Sequence, residues 1–328
     1  MRILYIYRHP DMGFSIGKVF KPIEDEMKKY AEVDSLYLPV PNYSPMGLWR
    51  NISAAQQAVK SGNYDIIHIT GAEHYLIPFL KGQRVVVTVH DLGFFINHRF
   101  SLRGWWKYFG WVRTLRFADY VTFISEKSES EALSLIKLKA GHYRVIHNAV
   151  SPLFTYCPKQ ISCPPVVLHI GTKPNKNLQN TILALKGLGY QLRIIGKVPA
   201  DQKMLLKLYA IDYSVVENLT DEEIVDEYKK CDVVNFPSFY EGFGMPIIEG
   251  QAVGRPVVTS GLPPMTEVAG DAAIFVNPAD VDSIREGYQE INLRWQELVD
   301  KGRKNASKYN IGATIREYLK LYQSILEQ

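Results

Sequence analysis

The apolar residues of this chain come in short runs separated by amphipathic stretches. Ile3 to Tyr7 is the first run and predicts a strand. A loop follows from Arg8 to Gly17, with glycines at 13 and 17, and Ile16 to Tyr30 has the spacing of an amphipathic helix. Further strand-like runs lie at Ser35 to Val40, Asp65 to Thr70, Val85 to His90, Tyr120 to Ser125 and Tyr143 to Asn148, with helical stretches between. Ser151 to Pro165 holds four prolines and predicts a linker. The alternation then resumes, with strands expected at Val166 to Gly171, Gln191 to Gly196, Tyr213 to Asn218, Asp232 to Phe236, Pro256 to Ser260 and Ala272 to Val276. A helix begins near Leu178. Another spans Asp221 to Lys230 behind Thr220, an N-cap with Glu223 placed three residues on to close a capping box. Asp280 to Gln328 predicts two or three helices. Strands alternating with helices argue for parallel sheets covered by helices. The length of 328 residues favours two such domains, since single cores rarely grow past roughly 250–300 residues.

Composition narrows the class. At 46% hydrophobic the chain suits a globular protein, and no apolar run approaches the ~18–20 residues of a membrane span. Ile3 to Tyr7 is too short for a signal-peptide core. A cytoplasmic location is expected, with peripheral contact at the inner face of the membrane left open. Cys157, Cys163 and Cys231 have no CxxC spacing and suggest neither a metal site nor a disulfide framework. The net charge of +4 hides an asymmetry. Residues 1–155 hold 19 Lys+Arg against 13 Asp+Glu, and residues 156–328 hold 19 against 21, giving +6 and −2. A basic first half suits anionic substrates or anionic lipid, and ordinary surface variation explains it equally well. No nucleic-acid motif is present. Neither half has the glycine fingerprint of a dinucleotide fold after its first strand, which argues against a dehydrogenase.

The densest chemistry lies at Phe236-Pro237-Ser238-Phe239-Tyr240-Glu241-Gly242-Phe243-Gly244-Met245-Pro246-Ile247-Ile248-Glu249. A strand ends at Pro237, two glycines let the backbone approach a ligand, and Pro246 suits the first turn of a helix that Gly254 stops. Glu241 and Glu249 therefore flank a glycine loop at a helix N-terminus, a place where unpaired N–H groups and the helix dipole receive anions. A second unusual stretch is Arg99 to Arg116. It interleaves Trp105, Trp106, Tyr108, Phe109 and Trp111 with Arg99, Arg103, Lys107, Arg113 and Arg116. Such a helix can lie in a membrane interface. Packing of its tryptophans onto the first domain is the expectation, because Phe117-Ala118-Asp119-Tyr120 returns at once to a buried strand.

The Glu241 to Glu249 stretch closely resembles the E-x7-E motif of retaining glycosyltransferases of family four, which have the GT-B fold. The resemblance continues through Gly254-Arg255-Pro256-Val257-Val258-Thr259-Ser260 and Pro264 to Ala273, and it covers nearly the whole chain. It implies two Rossmann-like α/β domains facing a central cleft, with a C-terminal helix crossing back to the first. The boundaries expected are 1–155 for the acceptor-side domain, 156–308 for the nucleotide-sugar donor domain and 309–328 for the returning helix.

The resemblance also implies roles. Thr88-Val89-His90-Asp91-Leu92 resembles the T-x-H-D-L segment whose histidine contacts the donor sugar, so His90 and Glu241 are the catalytic candidates. Lys176 matches the lysine of a basic pair that holds the donor diphosphate. Asn175 stands where that pair has arginine, and Lys173 is the candidate to supply the charge. Gly242, Phe243, Gly244, Met245 and Pro246 would cradle the donor, and Glu249 would accept its ribose hydroxyls. Gly13, Ser15 and Gly17 are the candidates to approach its phosphates from the first domain, and a plain turn explains that loop equally well. Asn218-Leu219-Thr220 lies where the family places the base. His147-Asn148-Ala149-Val150 stands for P-N-G-V, with Ala149 in place of glycine.

The implied reaction moves a sugar from a UDP- or GDP-linked donor to an acceptor hydroxyl with retention, and the departing phosphate takes the acceptor proton. No cofactor is expected, since the nucleotide sugar is a substrate, and no metal site is expected. A glycan or lipid-linked acceptor of surface-polysaccharide assembly is expected. Two other readings stand beside this one: a nucleotide-sugar epimerase of the same fold, and an inactive nucleotide-sugar-binding subunit.

Overall fold

A computed structural model of the protein describes residues 1–12, 15–96 and 100–327, Ser15 in its backbone only. Gly13 and Arg99, and the side chain of Ser15, lie outside the described residues. The chain divides into two compact units, one of Met1–Ala149 with Ile311–Gln328, the other of Val150–Asn310.

The strands of the first unit are β1 (Arg2–Tyr7), β2 (Glu32–Tyr37), β3 (Ile66–Ile69), β4 (Val85–Val89), β5 (Tyr120–Phe123) and β6 (Tyr143–Val145). Those of the second are β7 (Val166–Ile170), β8 (Gln191–Ile195), β9 (Asp212–Val216), β10 (Val233–Phe236), β11 (Val257–Ser260) and β12 (Ile274–Val276). The helices in chain order are α1 (Ser15–Met27), α2 (Pro45–Ser61), α3 (Gly93–Ile96), α4 (Leu102–Lys107), α5 (Glu126–Leu135) and α6 (Leu178–Leu185). They continue with α7 (Ala200–Leu208), α8 (Asp221–Lys230), α9 (Met245–Val253), α10 (Met265–Ala269), α11 (Val281–Ala306) and α12 (Ile311–Leu326).

Each unit holds one parallel sheet, ordered β2-β1-β3-β4-β5-β6 and β12-β11-β10-β7-β8-β9. The β-branched runs form strands because both faces of these sheets are covered. Every residue of β4, Val-Val-Val-Thr-Val, is buried. The order reverses between β1 and β3 in the first unit and between β7 and β10 in the second. Open parallel sheets receive ligands beyond the carboxyl ends of strands at such reversals.

Two expectations need correction. The second strand lies at Glu32–Tyr37 rather than Ser35 to Val40, in register with β1 from Arg2↔Glu32 to Tyr7↔Tyr37. Its exposed edge position hides the apolar pattern, and Pro39 lacks the N–H to extend the ladder. The segment up to Arg116 is not one helix. α4 gives way to a π-turn at Tyr108–Val112 and a 3₁₀ turn at Arg113–Phe117. Trp111 is buried, but Trp105 and Trp106 are 64% and 50% exposed, so these two do not fill the core.

The capping box at Thr220 is present, with both of its hydrogen bonds formed. The C-terminal helix α12 packs on the first unit. Ile315, Tyr318, Leu321, Tyr322 and Ile325 join a core with Tyr5, Phe20 and Ile23. A buried polar chain fixes it there. The Tyr322 hydroxyl lies 2.6 Å from His68 Nδ1, and His68 Nε2 lies 2.8 Å from Thr88 Oγ1.

Burial pushes His68 down to about 3 and His74 to about 4, and lowers His90, all in the first unit. His169, pushed to about 3, is the counterpart in the second. Below the ordinary value near 6.5 the unfolded chain binds protons that these folded sites refuse. Stability therefore rises with pH between about 4 and 6.5 and is lost on acidification, by about 1.4 kcal/mol per unit for each histidine that stays neutral. Glu73, whose carboxyl burial raises, works in the opposite direction near its own range. Lowering the pH from 7 to 5 is expected to reduce the melting temperature, and His68→Gln should flatten that slope. An unchanged slope in the variant refutes the assignment to His68.

Candidate active site

The loops after β7 and β10 meet at the reversal of the second sheet. Phe239 N–H donates to Asn175 O at 2.8 Å, and the Asn175 amide donates to Tyr240 O at 3.0 Å. Asn177 adopts φ 63° and ends the 3₁₀ turn Pro174–Lys176. Its buried amide donates to Pro237 O at 3.1 Å and Pro278 O at 2.7 Å. These bonds bring Lys176 and Glu241 together, with Lys176 Nζ 2.7 Å from Glu241 Oε1. The ammonium also lies 4.6 Å over the Phe236 ring. Gly171, at φ 86°, makes room for the lysine, since a Cβ there would stand 3.2 Å from Lys176 Cγ. Lys173 is exposed on the same loop.

The glycine loop enters α9 through Gly244, at φ 116°, which caps the helix without a side-chain hydrogen bond. Met245 and Pro246 occupy the first turn, where proline's missing N–H has no helical role. The Phe243 side chain is buried, with its ring 5.8 Å from that of Tyr309, so what Phe243 offers a ligand is backbone. Glu249 lies one turn into α9. Its Oε2 accepts from the Tyr228 hydroxyl at 2.5 Å. Tyr228 is fully buried in α8, edge-on to Phe154, and burial together with the Glu249 charge holds its hydroxyl protonated.

The reversal of the first sheet builds a second feature. A cavity of about 370 Å³ is lined by Arg8, Ile16, His74, His90, Trp106 and Lys107, among others. His90 follows β4. Its Nε2 donates to Thr70 O at 2.8 Å, which leaves Nδ1 as the lone-pair nitrogen of the neutral ring. His74 Nδ1 donates to Trp111 O at 3.2 Å, and its Nε2 is buried with no partner among the described residues. Gly71 lets α1 approach, because a Cβ there would fall 2.7 Å from Ile16 Cδ1. Gly17 sits in the first turn of α1, and among the described residues nothing beyond its chain neighbours and its own helix backbone lies within 4 Å of a Cβ built on it.

Lys173, Lys176, Glu241, the glycine loop and Glu249 thus belong to one unit, and Gly17 and His90 to the other. Sequence reasoning missed Gly171, Asn177, Tyr228 and His74. For His74 a signal was available, a polar residue just beyond a strand end, as at His90.

Residues 19–152 match the family described as Glycosyltransferase Family 4, and residues 161–309 match Glycosyl transferases group 1. The chain belongs to glycosyltransferase family 4. It is 29% identical over 272 residues to the O-antigen chain mannosyltransferase B of Escherichia coli, covering 72% of this chain and 68% of that one. Among solved structures, sucrose-phosphate synthase from Thermosynechococcus elongatus matches with a TM-score of 0.84 at 19% identity, over 100% of this chain and 99% of that one. Anabaena HepE in complex with UDP and glucose matches with a TM-score of 0.78 at 16% identity, over 99% of this chain and 100% of that one. The fold of this family 4 member is GT-B: two Rossmann-like units, with the C-terminal helix on the first.

Proposed function

We propose that the protein is a retaining, metal-independent glycosyltransferase. It moves a hexose, by kinship mannose, from a GDP- or UDP-linked donor to an acceptor hydroxyl during surface-glycan assembly. The observation that carries this reading is the gathering of Lys176, Glu241, the α9 N-terminus and Glu249 where the second sheet reverses its strand order. Kinship to an O-antigen mannosyltransferase supports the sugar and the setting.

In this reading residues 156–308 bind the donor, residues 1–155 serve the acceptor side in the cytoplasm, and residues 309–328 belong with the latter. Lys176, with Lys173 nearby, and the 242–245 backbone receive the diphosphate, where fixed donors stabilise charge as it develops. Gly13, Ser15 and Gly17 are the candidates to approach the phosphates from the acceptor side. Glu249 accepts the ribose hydroxyls, and the buried Tyr228 hydroxyl fixes which carboxylate oxygen is turned to them. Glu241 and His90 hold the sugar. The departing phosphate takes the proton of the attacking hydroxyl.

The test is a thermal-shift screen over nucleoside diphosphates and their sugars. A ligand at about 100 times its Kd should stabilise the fold by about 2.7 kcal/mol. GDP or UDP is expected to raise the melting temperature, and Glu249→Ala to abolish the difference between the ribose and 2′-deoxyribose forms. No response to any nucleoside diphosphate refutes the reading. Product formed from donor without acceptor would turn it toward an epimerase.

A further inference from the structure

Residues 92–118 contain five Lys or Arg and no Asp or Glu. The structure turns this composition into a face. Leu102, Trp105 and Phe109 recur at i, i+3 and i+7 and are 90%, 64% and 46% exposed. The Trp105 and Phe109 rings lie 5.9 Å apart, and the Arg113 guanidinium lies 5.5 Å over the Phe109 ring. Arg103 and Arg116 are exposed, as is Phe117. The opposite side is anchored, with Gly104, Trp111, Val112 and Leu115 buried. The exposure therefore belongs to a segment held by the core rather than to a detached one.

The chemistry selects the occupant. Exposed aromatic and aliphatic groups in contact with one another mark an interaction surface. Among the described residues no carboxylate pairs with Arg103, Arg113 or Arg116, and a second copy of this chain would bring the same cations against these, so self-association is disfavoured. A bilayer offers anionic headgroups at the depth of the guanidinium tips and an interfacial layer that accepts Trp and Phe rings. We propose that the face built by residues 100–117 docks on an anionic lipid surface. Trp106 and Lys107 of α4 also line the cavity that holds His90, so docking brings the wall of that cavity to the headgroup layer. On the function proposed above, this makes the acceptor one carried on lipid. That corollary depends on that function, whereas the docking does not.

The full chain is to be sedimented with vesicles of phosphatidylcholine alone and with vesicles that include phosphatidylglycerol. Binding is expected only with the anionic vesicles. It should fall as salt shortens the screening length below about 8–10 Å. Arg103→Gln and Arg116→Gln should each weaken it by about fivefold. The Leu102→Ser, Trp105→Ser, Phe109→Ser triple variant should lose it with the melting temperature unchanged, because those side chains are outside the core. Absence of binding to anionic vesicles, equal binding to neutral ones, or a triple variant that binds like the parent overturns the proposal. So does a lipid-free dimer that the triple variant dissolves, which would assign the face to a second copy. None of these readouts uses the nucleotide, so failure here is separable from failure of the nucleotide screen.

Discussion

Lys176→Ala should weaken the binding of a nucleoside diphosphate by about 10- to 150-fold and leave binding of the bare nucleoside within about twofold. The range is that of a charge-assisted hydrogen bond, about 1.5–3 kcal/mol. The ammonium is mostly shielded, at 20% side-chain exposure, and only the diphosphate carries the charge that it would meet. The structure adds a condition. Lys176 pairs with Glu241, whose side chain is 15% exposed, so a diphosphate would compete with that carboxylate for the ammonium. Glu241→Gln removes that competitor while keeping the shape. It is expected to strengthen binding of the free diphosphate and to cut turnover, because the sugar loses its partner. Calorimetry with the diphosphate and the nucleoside reads the first effects, and initial rates read the last. Equal losses for both ligands in Lys176→Ala would show that the lysine acts on packing alone. Weaker diphosphate binding in Glu241→Gln would show that the pair orients the lysine rather than restraining it.

That ion pair marks the limit of what the sequence made visible. The strands were readable because both sheets are covered on both faces, so most of their residues are apolar, as in the Val-Val-Val-Thr-Val of β4. The edge strand β2 was misplaced by three residues because its burial is partial and its polar residues pair with β1 instead of filling a core. At the site, Glu241, the glycines and Glu249 were found because they are local, all within one strand-end, loop and helix start. What holds them was not. Asn177 reaches Pro237 and Pro278 across 60 and 101 residues, and Tyr228 reaches Glu249 from another helix. Nothing in the spacing of Asp221 to Lys230 separates a tyrosine that packs from one that positions a carboxylate. The aromatic segment failed for a different reason. Its composition suggests a single helix with buried tryptophans, but the π-turn at Tyr108–Val112 resets the register. Trp111 then turns inward and Trp105 outward.

Arg255→Ala is expected to destabilise the second unit by about 3–5 kcal/mol, through buried carbonyls that lose a donor, at about 1–3 kcal/mol each, and through the cavity left beside them. Arg255 is 1% exposed, and among the described residues no carboxylate pairs with it. Its guanidinium is satisfied by carbonyls instead. Nε donates to Tyr228 O at 3.1 Å and Nη2 to Lys229 O at 2.7 Å, both at the end of α8. Nη1 donates to Val253 O and Gly254 O, each at 3.3 Å, at the end of α9, and to Cys157 O of the preceding linker at 2.7 Å. The carbonyls that end a helix have no intrahelical partners and carry the negative end of its dipole, so two helix C-termini converge on one cation. Removing the side chain takes a donor from all five carbonyls and leaves a cavity beside them. Val253 O keeps the Cys157 N–H and Tyr228 O the Cys231 thiol, so the loss falls mainly on Lys229 O, Gly254 O and Cys157 O. Arg255→Lys keeps the charge but has three donors on a single nitrogen, which cannot span two helix ends and the linker. It should therefore fall between the parent and the alanine variant. Because Tyr228 and its Glu249 contact sit on the same two helices, both variants should also weaken nucleotide binding in proportion to their loss of stability. Denaturant titrations with the transition of the second unit followed separately measure the effect, since the two units need not unfold as one. A shift of less than about 1 kcal/mol in Arg255→Ala, the value of an exposed ion pair, would mean that water replaces the guanidinium at both helix ends.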